Sequence, residues 1–373
     1  MQNKFCSIVR VAYTNALIFT GTSIEKDKAV LVRDGFIIDL VPDGEIPADY
    51  TKDDLDGHYL VPSFIDLQIY GGDGKLFSDE LSVASLEATY HYALRGGCTR
   101  FMITLATNTR EKFVHGLEVA AAYVKNGGRG LLGVHLEGPY INPEKKGAHI
   151  EDCIRVPDPD EIRLFAEKGK GLFRMMTLAP EQCRDDIIGL LQELGVVISA
   201  GHSNATYARA MRGFSVGIPA ATHLFNAMSP FHHRDPGLPG AVMDHPSVMA
   251  SIICDGVHVD YATARIAKKV MGNRLFFITD AVTAASGGEY PHRLQGDRYV
   301  LPDGTLSGSA LSMVQCIRNG VRHVGILPEE AFRMASAYPA RLIGDDTLGY
   351  IAPGYHAEMV VLDHQLEIRR VIL

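Results

Sequence analysis

No two of the six cysteines (Cys6, Cys98, Cys153, Cys183, Cys254 and Cys316) share the CxxC spacing of a redox or structural-metal motif. Scattered through 373 residues, they read as reduced thiols, mostly small buried hydrophobes, in a cytoplasmic protein. Nothing approaches the roughly 20 unbroken apolar residues that a membrane helix needs. The opening MQNKFCSIVRVAYTNALIFTG is apolar with early Lys4 and Arg10, yet Tyr13, Thr14 and Asn15 interrupt it. No small-residue cleavage site follows, so the segment reads as a β-strand rather than a secretory signal. Positive charge is in short supply: 36 Lys and Arg against 44 Asp and Glu leave a net charge of −8, which argues against a nucleic-acid binder. Internal repeats and low-complexity tracts are absent as well. What is present is ordinary globular composition, 46% hydrophobic and 21% charged, enough for a core and incompatible with a disordered chain.

The first ~60 residues carry short alternating runs, ALIFTG, KAVLVRDGFIIDLVP and HYLVP, separated by turn residues. From Pro62 the rhythm changes. SFIDLQIYG, RFMITLAT, LLGVHLEG, LFRMMTLAPE, VVISAGHS, AATHLFNA, VMASIICDG and LFFITDA read as strands buried on both faces, with helical stretches between most of them. Eight such alternations predict a (β/α)8 TIM-like barrel. The tail, DTLGYIAPGYHAEMVVLDHQLEIRRVIL, returns to β. The expected organisation is therefore a barrel over 61–345 and a small β-sandwich domain built from both chain ends, 1–60 and 346–373. One long loop, NAMSPFHHRDPGLPG, is unusually rich in Pro, Gly and His, and long loops of that kind tend to be functional or disordered.

Three polar residues close predicted strands: Glu137 in LLGVHLEGP, His202 in VVISAGHSN and His223 in AATHLFNA. Strand ends of such a barrel open onto one face, and a carboxylate with two imidazoles is a catalytic-zinc ligand set that leaves a position for water. Taken singly, Glu137 could cap a helix or pair with an arginine, and either histidine could be a packed core residue. Asp280 in ITDAV reaches the same rim; it suits a general base that takes a proton from an activated water and returns it to a leaving amine, or a structural carboxylate. His149 in KKGAHI and His258 in DGVHVD could orient or polarise a substrate, or simply pack in loops. Arg234 in HHRDPG suits bidentate phosphate or carboxylate binding, or is a solvated loop charge.

With these residues in place, the chain resembles the N-acetylglucosamine-6-phosphate deacetylases of the amidohydrolase superfamily. The resemblance runs from about Val61 to Asp363 and rests on ordered strings, among them VPSFIDLQIYGGDG, GVHLEGPYINPEKKGAH, TLAPE, SAGHSNAT, ATHLFNAM, RDPGLPG, DGVHVD, ITDA, LSGSALSM and LGYIAPGYHAEMVVLD. It implies that Glu137, His202 and His223 ligate one divalent metal, Zn2+ in the first instance, and that Asp280 is the catalytic acid and base. It further implies that His149 polarises the acetamide carbonyl, that His258 contacts the sugar phosphate, and that the backbone at Asn226 and Ala227 lines the sugar site. Arg234 would reach the phosphate in a neighbouring subunit, making a homodimer.

There is a departure. Where many superfamily members place His-x-His to hold a second metal, this chain reads Gln68-Ile69-Tyr70, poor zinc ligands, so a mononuclear site is expected. Ser63 stands where the family usually has glycine. Three rival readings remain: an N-acetylgalactosamine-6-phosphate deacetylase, another cyclic-amide hydrolase such as a dihydroorotase-like enzyme, and a non-catalytic sugar-phosphate sensor. The missing His-x-His and the lack of a bridging lysine weigh against the second, and the intact Glu137, His202, His223 and Asp280 against the third.

Overall fold

Eight parallel strands form the larger of two compact units in the computed structural model, which describes residues 9–285 and 288–373; Cys6 and the start of the predicted N-terminal strand lie outside the described residues. The strands are β1 (Phe64–Ile69), β2 (Cys98–Ala106), β3 (Leu131–Glu137), β4 (Phe173–Leu178), β5 (Val197–Ala200), β6 (Ala220–Ala221), β7 (Met249–Ile253) and β8 (Leu275–Ile278). Their order in the sheet is their order in the chain. The ring closes where Ile69 bridges Ala281, with the Asp280 N–H donating to the Gln68 carbonyl at 2.9 Å and the Tyr70 N–H to the Ala281 carbonyl at 2.9 Å. The expected (β/α)8 barrel is the observed fold. Side chains on these strands are almost all buried, as sheets covered on both faces require.

Helices between the strands start where the sequence offers acceptors to unpaired N–H groups. Ser82, Thr109, Thr206 and Asp260 cap Val83–Arg95, Arg110–Lys125, Tyr207–Ser215 and Tyr261–Met271 through their side chains. Past β8 comes an element that the sequence pattern did not signal, a three-stranded antiparallel sheet of Arg293–Gln295, Arg298–Val300 and Leu306–Ser309. Its strands are short, and the first is exposed throughout, so they lack the apolar alternation that marks a half-buried strand. Ser309 anchors the sheet to the rim, its N–H donating to the Asp280 carbonyl at 2.8 Å. Among the described residues no helix is long and apolar enough to cross a membrane.

The second unit joins the chain up to Ile65 with Leu327–Leu373. Strand Met359–Leu362 pairs antiparallel with Tyr59–Pro62, so the two ends of the chain share one five-stranded sheet. A four-stranded sheet contains Arg10–Thr14, Lys28–Arg33, Phe36–Pro42 and Thr51–Asp54, and side chains of both sheets, including Tyr13, Val30, Ile18, Leu60 and Met359, form one apolar core. The division between units lies at 65/66 and 326/327, not at the expected 60/61 and 345/346. Helices Pro328–Ala335 and Ala337–Ile343 therefore belong with the terminal strands. The reason is packing: Phe332, fully buried, meets Phe19 at 5.5 Å and Tyr59 at 5.9 Å between ring centroids, and Arg333 covers the Phe19 ring. Replacing Phe332 with Ala is expected to cost about 3–5 kcal/mol in urea unfolding; a loss below about 1 kcal/mol would mean that this helix does not hold the terminal unit together.

Candidate active site

The barrel strands stop short of three of the candidate site residues. β5 ends at Ala200, β6 at Ala221 and β8 at Ile278, and in each case the second residue onward, His202, His223 or Asp280, takes a positive φ of 47°, 34° or 55°. Left-handed backbone at a non-glycine residue costs roughly 1–2 kcal/mol and persists only where surrounding contacts impose it. Here it turns three side chains inward over the end of the barrel. Glu137 ends β3 itself, and Gly138 follows with φ 91°; a Cβ there would sit 2.1 Å from the Thr107 hydroxyl, so glycine is what lets the β2 end approach Glu137.

Glu137, 2% exposed, is the hub. Its Oε1 accepts from Gln68 Nε2 at 2.9 Å and lies 3.0 Å from His223 Nε2 and 3.3 Å from His202 Nε2. Its Oε2 accepts from the Tyr70 hydroxyl and lies 3.0 Å from His149 Nε2. Burial pushes this carboxyl's pKa upward, but His149 and His202 beside it hold it well below the usual range. Tautomers separate the histidines. His202 Nδ1 lies 2.9 Å from the Lys145 carbonyl, which can only accept, so Nδ1 carries the hydrogen and Nε2 presents a lone pair. His149 is the reverse: the Thr107 backbone N–H donates to Nδ1 at 3.3 Å, leaving Nε2 as the N–H that faces Glu137. Burial pulls His149 down to about 4, so its ring is neutral at neutral pH.

Asp280 is tied to the same hub through Gln68, whose Nε2 also donates to Asp280 Oδ1 at 2.7 Å. Burial raises Asp280 to about 6, against the opposing pull of His223. Behind it, Asp66 accepts from the Thr279 hydroxyl and from the N–H groups of Thr279 and Gln68, both at 3.2 Å, which locks β1 to β8. Burial raises Asp66 to about 7.

Glu137, His149, His202, His223, Asn226, Ala227, His258 and Asp280 all line one cavity of about 270 Å3. Arg234 does not; it lies exposed on the loop before helix Gly237–Asp244. Sequence reasoning had no role for Gln68 and Tyr70 beyond their failure as metal ligands, yet both donate to Glu137. It also passed over Thr107, one residue past the end of β2, a position that the strand-end argument would have flagged. Tyr290 and His292 line the cavity too, from the segment leading into the unforeseen sheet.

Residues 59–372 match the family model for the amidohydrolase family, and 11–60 the model for the NagA composite domain. The N-acetylglucosamine-6-phosphate deacetylase of Haemophilus influenzae is 35% identical over 372 residues, covering 96% of this chain and 97% of the relative. The chain belongs to this deacetylase family of amidohydrolases. A crystal structure of the family's enzyme from Pasteurella multocida superposes with a TM-score of 0.93 at 34% identity and covers 98% of each chain. An N-acetylgalactosamine-6-phosphate deacetylase from Escherichia coli O157:H7 is 32% identical over 92% of this chain and 93% of its own.

Amidohydrolases are metal-dependent, and the residues present fit a cation. Ligand atoms of Glu137, His149 and His202 lie within 4.8 Å of one another. The tighter set replaces His149 with His223: Glu137 Oε1, His202 Nε2 and His223 Nε2 are separated by 3.0, 3.1 and 3.3 Å. Bonds of about 2.0–2.1 Å at tetrahedral angles put neighbouring ligand atoms roughly 3.3 Å apart. With no hydrogen on His202 Nε2, two imidazole nitrogens at 3.1 Å need a proton or a cation between them. Adding Zn2+ to chelator-stripped protein at a thousandfold above its Kd is expected to stabilise the fold by about 4 kcal/mol, read as a rise in Tm. In Glu137→Gln the same addition should leave Tm at the stripped value; an equal rise would place the cation elsewhere.

Proposed function

We propose that the protein hydrolyses the N-acetyl group of N-acetyl-D-glucosamine 6-phosphate to D-glucosamine 6-phosphate and acetate, in amino-sugar catabolism or recycling. The observation that carries this reading is one amide, Gln68, joining the Glu137 hub to the Asp280 base at 2.9 and 2.7 Å inside a cavity of the family's fold. Glu137, His202 and His223 are the proposed ligands of one divalent ion, Zn2+, because Glu137 Oε1, His202 Nε2 and His223 Nε2 converge to within 3.0–3.3 Å of one another. His149 presents an N–H instead and is the proposed carbonyl partner. Gln68 and Tyr70 fill the place of a second ligand pair with neutral donors, which supports a mononuclear site.

When bound, a divalent cation acidifies a water molecule and polarises a carbonyl oxygen. Asp280, as carboxylate, accepts the water's proton and later delivers it to the departing nitrogen. Gln68 keeps Asp280 Oδ1 aimed while this happens. His149 Nε2–H donates to the carbonyl oxygen as negative charge develops there, a neutral donor that needs no proton of its own to be returned. Asn226 and Ala227 line the sugar site, and His258 contacts the phosphate. Arg234, exposed on its loop, is free to reach a phosphate in the neighbouring subunit of a homodimer. The five described cysteines are all free thiols, which supports a cytoplasmic location.

A second reading, N-acetylgalactosamine 6-phosphate, is favoured by the Escherichia coli relative and differs by one hydroxyl. Acetate release from the two sugar phosphates side by side decides between them: the glucosamine substrate should be the faster, and a reversed order would transfer the assignment. Asp280→Asn is expected to cut kcat at least a hundredfold with the metal still bound; near-normal turnover would remove Asp280 from the mechanism. Arg234→Ala should raise KM severalfold with kcat little changed, and an unaltered KM would sink the phosphate role. The base works as a carboxylate, and burial raises its pKa to about 6, so kcat/KM should fall tenfold per unit below a midpoint at or under pH 6, lower as the nearby cation counters burial. A profile flat to pH 4 would exclude it.

A further inference from the structure

Past β7, at the cavity wall, two residues outside the proposed metal cluster form a closed unit. Asp255 Oδ2 lies 2.6 Å from His258 Nδ1, with the side chains 10% and 6% exposed. The other oxygen, Oδ1, accepts the backbone N–H groups of Val257 and His258, each at 2.8 Å. The Tyr261 hydroxyl donates to the Asp255 carbonyl at 3.0 Å, so backbone and side chain are both pinned. Oδ2 thus has His258 as its partner. Burial pushes the Asp255 carboxyl upward, yet the His258 contact leaves it below its ordinary value, as expected of a carboxylate that stays ionised beside the ring. An ionised carboxylate only accepts, so Nδ1 of His258 carries a hydrogen, and Nε2 is the ring nitrogen that this pair leaves for the cavity that His258 lines.

We propose that Asp255 is a positioning residue that makes His258 the anion receptor of the substrate site. With a hydrogen on both nitrogens the ring is a cation held between two anions, Asp255 on one side and the 6-phosphate on the other. The carboxylate fixes the ring's orientation, and with it the direction in which Nε2 points. Without it, a neutral imidazole would meet the phosphate with at most one uncharged donor, and charge-assisted bonds are roughly twice as strong as neutral ones. This inference rests on the proposed sugar-phosphate substrate and adds the residue that selects for the phosphate.

The test is Asp255→Asn in the metal-loaded protein. Asparagine keeps an oxygen for the Val257 and His258 N–H groups, so the loop retains its turn while the charge is lost. The ratio of kcat/KM for N-acetylglucosamine 6-phosphate to that for unphosphorylated N-acetylglucosamine should fall about tenfold, with the change in KM. The inhibition constant of inorganic phosphate should rise by a similar factor. His258→Gln should produce the same losses, and the double variant little more than either single change, because the two act as one unit. An unchanged ratio and phosphate constant in Asp255→Asn, or additive losses in the double variant, would overturn the role of Asp255 while leaving the deacetylase reading intact. A wild-type protein that shows no preference for the phosphorylated sugar would overturn both.

Discussion

A single buried carboxylate organises this molecule. Taking an ionised glutamate out of water costs several kcal/mol unless its oxygens are met by cations or hydrogen-bond donors. Glu137 is met by Gln68 and Tyr70 from the β1 end, by His149 from the loop after β3, and by His202 and His223 from beyond β5 and β6. No local stretch of chain could supply that set. It forms only when the barrel has closed and its strand ends face one another, so the compensation of one charge and the closure of the fold depend on each other.

The same shell separates two carboxylates chemically. Glu137 is surrounded by histidines and held well below the ordinary range, whereas Asp280, equally buried, is raised to about 6. Environments that push paired acids apart in this way assign them different work, one as a permanent anion and the other as a proton carrier. Gln68 touches both without carrying charge. A cation in its place would pull Asp280 down toward the ordinary carboxylate range and weaken it in its proposed role as base. The departure from His-x-His is therefore coupled to the raised pKa of Asp280, the property that its proposed role as base requires.

Rigidity around the cluster comes from hydrogen bonds one step behind it. Asp66 ties Thr279 to Gln68, and Thr107 meets both His149 and the Glu137 backbone. The left-handed residues His202, His223 and Asp280 are held by contacts of their own: His202 Nδ1 to the Lys145 carbonyl, the His223 N–H to the Ser251 hydroxyl, and the Asp280 N–H to the Gln68 carbonyl. A loosely held set would relax to ordinary backbone and aim the same side chains elsewhere.

Much of this was legible in the chain. Apolar runs bounded by Gly and Pro marked all eight barrel strands, because burial on both faces demands continuous apolar sequence. A polar residue at the end of such a run has few places to point, so Glu137, His202, His223 and Asp280 stood out. The short strands after β8 did not, since the first is exposed throughout and the buried positions of the last are serines, which leave no apolar period, and with them His292 and Tyr290 went unnoticed. Helices 328–335 and 337–343 group with the terminal strands, on the other side of the division from the one expected, because helix pattern says nothing about which sheet will cover it. By itself the sequence determined the strand order, the fold class and the residue types available to the site. Only the tertiary structure decided which histidine presents a lone pair and which an N–H, because a ring's tautomer is set by partners as remote as Thr107 for His149 and Lys145 for His202.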